Sequence, residues 1–131
     1  MREILFRGKA ITGKWIYGYY EKYNGGSYIN LQTDRLNSGG YPIREFIEVI
    51  PETVGQYTGL TDKNGTKIFE GDIVDYDYFG ERKIGKIFFN DCGYEIENQG
   101  CFLCVQSADK QLDCEVIGNI HDNPELLKGG D

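Results

Sequence analysis

Apolar and polar positions alternate over short stretches along nearly the whole chain, the pattern of strands with one covered face. Glu3 to Lys9 (EILFRGK) predicts a first strand, and Lys14 to Tyr23 (KWIYGYYEKY) a second, dominated by aromatics. Asn24-Gly25-Gly26 predicts a tight hairpin, because Asn and Gly accept the positive φ of a type I′ turn. Ser27 to Gln32 returns as a strand, and Thr33 to Tyr41 (TDRLNSGGY) reads as a mobile polar loop. Glu45 to Ile50 resumes strand character until Pro51 stops it, and Thr53 to Thr58 predicts another short strand. Asp62 to Gly65 is a turn, with Asn64-Gly65 supplying the left-handed residues.

In the second half, Gly71-Asp72 opens the run Ile73 to Phe79 (IVDYDYF). Val74, Tyr76 and Tyr78 share one face of it while Asp75 and Asp77 take the other. Lys83 to Asn90, Tyr94 to Glu97, Cys101 to Gln106 and Cys114 to Ile120 follow as strands, with turns at 91–93, 98–100 and 109–110. Asn123-Pro124-Glu125-Leu126-Leu127 predicts about one helical turn, with a capping Asn and Pro at the first helical position; Gly129-Gly130 ends it. Many strands and almost no helix predict an all-β chain, a barrel or sandwich.

Composition narrows this further. At 131 residues, one domain is the default, with lobes at 1–50 and 51–131. Hydrophobic residues make up 40% and aromatics 14%, enough for a core without disulfides or metals. No apolar run approaches the ~18 residues of a membrane helix and no signal-peptide pattern opens the chain, so a cytoplasmic protein without membrane contact is expected. The net charge of −7 is uneven: residues 1–65 carry +1 and residues 66–131 carry −8. That field repels phosphate backbones from the second half and suits a basic protein partner or simple solubility.

Four segments together resemble the YopX family of bacteriophage and prophage proteins: Met1 to Lys9, Trp15 to Gly18 (WIYG), Pro51 to Asp72 (PETVGQYTGLTDKNGTKIFEGD) and Val116 to Leu127 (VIGNIHDNPELL). The resemblance implies a β-rich fold whose later part is an SH3-like barrel, and a bacterial host cell as its setting. It implies no reaction and supplies no catalytic residues. The residues fit a small barrel on their own terms: Gly71 allows a tight entry, Ile73 and Val74 pack at a corner, and Gly85 permits a bend in the facing strand.

Candidate chemistry is sparse. Cys101 and Cys104 have the gap of a zinc half-site, and Cys92 and Cys114 would complete four thiolates. Phe and Leu fill the gap inside a strand, so free buried thiols are the preferred reading. Glu70, Asp72, Asp75 and Asp77 are acidic enough for a hard cation, but outward acids on a strand are commonly just solvated. His121, beside Asp122, has no nucleophile elbow to assist and reads as structural. No cofactor is called for, and the chain reads as non-enzymatic.

Two groups remain as a candidate binding surface. Trp15, Tyr17 and Tyr19 alternate onto one strand face, with Tyr28 across the turn; they rank first as core, then as protein interface, then as a stacking platform for single-stranded nucleic acid. Gln56, Tyr57, Asp62 and Asn64 suit a recognition loop, against the plainer reading that they only build a turn. The expected function is a macromolecular binding module with a phage or host protein as partner. Self-association through the aromatic half is an allied reading, and single-stranded nucleic acid is the alternative.

Overall fold

A computed structural model describes residues 5–90, 93–98, 101–104 and 112–127, with the side chains at 90 and 101–104 outside that description. The aromatic N-terminal half forms four strands in a meander: β1 (Phe6–Lys9), β2 (Trp15–Tyr23), β3 (Gly26–Leu36) and β4 (Pro42–Glu48). Asn24 and Gly25 adopt φ of 50° and 80°, so Tyr23 pairs with Gly26 around a two-residue turn, as the Asn-Gly signal requires. All the ladders are antiparallel, in the order β4-β3-β2-β1.

The stretch 33–41 differs from the expected loop. Residues 33–36 continue β3, and β4 starts at Pro42. Thr33 Oγ1 donates to the Ile43 carbonyl at 2.8 Å, and the Asn37 side-chain oxygen accepts from the Gly39 and Tyr41 amides. These polar side chains satisfy a hairpin tip from within, so residues 33–36 belong to the strand end and the loop is confined to 37–41. Thr53 also departs from the expected strand: Pro51–Thr53 is a 3₁₀ turn, and the buried Thr53 hydroxyl accepts from the Lys9 amide at 2.8 Å.

One face of the meander is its core. Ile29 is fully buried and Ala10 and Val49 nearly so, and an isolated bridge joins Ala10 to Val49 at the meander's two ends. Gly8 permits this approach, since a Cβ there would lie 2.8 Å from Val49 Cγ2. Burying such aliphatic side chains contributes roughly 1.5–3 kcal/mol each.

The chain divides into two compact units between Gln56 and Tyr57, inside β5 (Gly55–Thr61). The start of β5 pairs with β1 in the first unit, and its remainder pairs with β6 (Lys67–Phe69) in the second. Three-residue β6 escaped the sequence pattern because it is too short to show a period. The second unit continues with β7 (Asp72–Tyr78), β8 (Glu81–Asn90), β9 (Gly93–Asn98), β10 (Cys101–Cys104) and β11 (Cys114–Asn119). These five form an antiparallel sheet with the open order β10-β9-β8-β7-β11. Apart from 3₁₀ turns the described chain is all-β, and the terminal helical turn is itself 3₁₀, Pro124–Leu127.

Val74 and Tyr76 are buried with Ile68, Ile87, Ile96 and Cys114, and Tyr78 packs against them, as the alternation along β7 predicts. Gly71 has a φ of 94°, and its amide donates to the Ile87 carbonyl at 2.8 Å, giving the tight entry to β7. Gly85 pairs with Val74, where a Cβ would lie 2.7 Å from the Glu97 carbonyl oxygen and 2.8 Å from Ile96 Cγ2.

Candidate binding surface

The alternation that buries Ile29 turns the next residues outward. On β2, Tyr17 and Tyr19 are 48% and 54% exposed, and on β4 Phe46 is 57% exposed. This corrects the ranking that put Tyr17 and Tyr19 first as core. The core side of β2 belongs to the other parity, where the Tyr20 ring packs 5.7 Å from Phe6 and its hydroxyl lies 3.1 Å from Ser27 Oγ. Trp15 is half-buried, with the Arg7 guanidinium 4.8 Å from its ring centre. Arg7 itself is buried, so this face is covered at β1 and opens toward β4.

Register places the open face in rows across three strands. Asn30 stands between Tyr19 and Phe46, and Tyr28 between Glu21 and Glu48. Polar side chains tie the rows together. Arg44 Nε donates to Asn30 Oδ1 at 2.8 Å, and Asn30 Nδ2 donates to Glu21 Oε1 at 2.7 Å. Arg44 also reaches Gln32 Oε1 at 3.5 Å and lies over the Tyr19 ring. Side chains held this way lose less entropy when a partner docks than free ones would.

Within this face Glu21, Tyr23, Tyr28 and Phe46 line a half-open depression of about 470 Å³. Phe46, Asn30 and Arg44 were missed in the sequence reading. The signal for Phe46 was available in the EFIEVI run, whose alternation puts Phe46 opposite in parity to the half-buried Glu45 and Ile47.

The second group of sequence candidates does not assemble into a surface. Tyr57 is 7% exposed and Asp62 is 1% exposed; of the four only Asn64 is exposed, while Gln56 is half-buried in β5. The Tyr57 ring packs 5.5 Å from Phe69, with Lys67 Nζ over it. Asp62 fastens its turn: Oδ1 accepts from the Asn64 and Thr66 amides, and Oδ2 from the Val116 amide on β11, each at 2.9 Å. Burial alone would raise its pKa, but the Val116, Thr66 and Asn64 donors, with Lys63 nearby, hold the carboxyl below its ordinary 3.8.

The acidic strand is divided among structural tasks. Asp72 is buried and accepts from the Phe69 amide at 2.7 Å, and Asp75 pairs with Arg82 at 3.0 Å. Asp77 Oδ2 lies 3.4 Å from the Gly80 amide in the next turn. The exposed Phe79 occupies that turn with a φ of 51°, a conformation unusual for a bulky residue. His121 donates its amide to Asn119 Oδ1 at 3.0 Å, and the Asp122 carboxylate accepts from Asn119 Nδ2 at 3.2 Å. Cys92 and the side chains of Cys101 and Cys104 lie outside the described residues. Cys114 is buried in the core, and burial, reinforced by nearby Asp62, Asp113 and Asp72, pushes its thiol up to about 12.

Comparison with known proteins bears on the whole chain. A family model described as YopX protein matches residues 5–128. The crystal structure of protein EF1440 from Enterococcus faecalis is similar, with a TM-score of 0.61 and 28% identity, covering 98% of this chain and 100% of that one. No curated protein matches. No helix among the described residues is long and apolar enough to cross a membrane.

Proposed function

The chain belongs to the YopX family, and from that premise we propose that it is a non-enzymatic binding module that engages a protein partner through the open face of β2, β3 and β4. One observation carries the reading: Tyr17, Tyr19, Tyr23 and Phe46 are exposed on a face ordered by the Arg44–Asn30–Glu21 hydrogen bonds. Interfaces concentrate Tyr, Phe and Arg: the aromatics add large contact area at low entropy cost, and Arg adds a planar fork of hydrogen-bond donors. The phage or prophage setting, the SH3-like form of the second unit and a cytoplasmic location belong to this reading as well.

Single-stranded nucleic acid is the competing ligand. The face offers rings for stacking, but Glu21 and Glu48 sit in the same rows as Tyr28, and Arg44 is already engaged by Asn30 and Gln32. A phosphate-tracking groove needs unopposed positive charge. The test is capture from bacterial lysate by the wild-type protein and by Tyr17→Ser/Tyr19→Ser, with and without nuclease. The reading expects a protein retained by wild type, lost by the variant and indifferent to nuclease. Capture that disappears with nuclease favours the nucleic-acid alternative, and equal capture by both proteins refutes the proposed face.

A further inference from the structure

We infer that the depression lined by Glu21, Tyr23, Tyr28 and Phe46 receives a cationic side chain of the partner protein, arginine above all. The inference rests on the binding reading above and names the group that the face recognises. Among the described residues, three aromatic rings and one carboxylate line the depression. Ring faces carry negative electrostatic potential and attract a cation within about 6 Å, more strongly as water is displaced. Glu21 adds an acceptor: Oε1 is held by Asn30 Nδ2 at 2.7 Å, which fixes the side chain's orientation. A second acid, Glu48, stands across Tyr28 in the same row.

An anionic or purely apolar occupant fits less well. An anion would meet two carboxylates, and an apolar group would cover the Glu21 carboxylate with only the neutral Asn30 amide beside it and no countercharge, which is costly. A guanidinium satisfies both demands, because its plane stacks on rings while its N–H fork meets a carboxylate. The face already places a guanidinium over a ring twice with its own residues: Arg7 lies 4.8 Å from the Trp15 ring centre and Arg44 lies 5.7 Å from that of Tyr19. The depression repeats that chemistry with its rings open to the outside. At about 470 Å³ it has room for a whole side chain and part of its backbone.

The test is a titration of the intact protein, followed by NMR of the Tyr23, Tyr28 and Phe46 rings. The probe is acetyl-Gly-Arg-Gly-amide, with the citrulline peptide as its uncharged match and the lysine peptide as a third arm. The expected result is saturable ring shifts with arginine, binding at least about tenfold weaker with citrulline, and a similar loss for arginine in Glu21→Gln. Lysine binding more weakly than arginine supports the guanidinium geometry. Equal shifts from arginine and citrulline overturn the inference, as does the absence of ring shifts with arginine. If Glu21→Gln disturbs the Asn30 contact, the arginine-to-citrulline ratio on the wild type decides alone. Failure here with intact, Tyr17- and Tyr19-dependent protein capture removes the cation site and leaves the binding module standing.

Discussion

The Arg44 guanidinium reaches from β4 across β3 and lies 5.7 Å from the centre of the Tyr19 ring on β2. Its Nε donates to Asn30, whose amide in turn donates to Glu21, so four residues on three strands hold one another in place. The arrangement lies on the exposed side of the sheet and seals no core. Replacing Tyr19 by Ser should therefore cost little stability, within about 1 kcal/mol, the range of an exposed cation–aromatic contact. Urea unfolding of Tyr19→Ser against wild type measures it. A loss of several kcal/mol would mean that the face is structural after all.

Gly85→Ala should cost about 2 kcal/mol or more. The added Cβ would meet a backbone carbonyl at 2.7 Å, and neither Glu97 nor the buried Ile96 can withdraw without disturbing the β8–β9 ladder. A thermal midpoint unchanged from wild type would show that the sheet is looser at this point than its packing implies.

Asp62 links acidity to stability. Its carboxyl is held below the ordinary 3.8, so the folded state binds that proton less readily than the unfolded chain does. The stability it contributes is present above about pH 4 and is lost as pH falls through its lowered folded value. Asp62→Ala should leave the Val116, Thr66 and Asn64 amides without their acceptor and cost about 3 kcal/mol at neutral pH. The gap between wild type and variant should narrow on acidification, read from unfolding curves at pH 7 and pH 3. A gap that stays constant would contradict the assignment.

Cys114 shifts in the opposite sense. With the folded thiol raised to about 12, its stabilising burial is intact below its ordinary pKa of 9.0 and is lost as pH climbs from there toward 12. At pH 8 the native thiol should resist iodoacetamide and react only after unfolding. Mass mapping of the Cys114 peptide checks this, and rapid labelling in the folded protein would contradict it.

Much of the fold was legible because its determinants are local. Asn24-Gly25 forms the expected turn, β7 buries Val74 and Tyr76 while Asp75 and Asp77 face outward, and Gly71 makes the tight entry its position implied; Gly85, expected at a bend, instead admits the close approach of Glu97 and Ile96. The loop expected at 33–41 holds for 37–41 only, because the Thr33 hydroxyl donates to the Ile43 carbonyl across the hairpin and residues 33–36 extend β3. Asp62 looked like a recognition residue because its Val116 partner lies 54 positions along the chain. The surface was half legible. Alternation grouped Trp15, Tyr17 and Tyr19, but which side faces the core depends on Ile29 and Val49 from other strands. Phe46 and Arg44 join the face only through the β3–β4 register.

The most direct measurement is hydroxyl-radical footprinting of the protein alone and with its captured partner, at the same concentration. The account predicts several-fold protection of Tyr17, Tyr19 and Tyr23 in the complex, with the exposed Tyr41 and Phe79 unchanged as references. Protection at Tyr41 or Phe79, with the three tyrosines oxidised as in the free protein, would place binding elsewhere and contradict it.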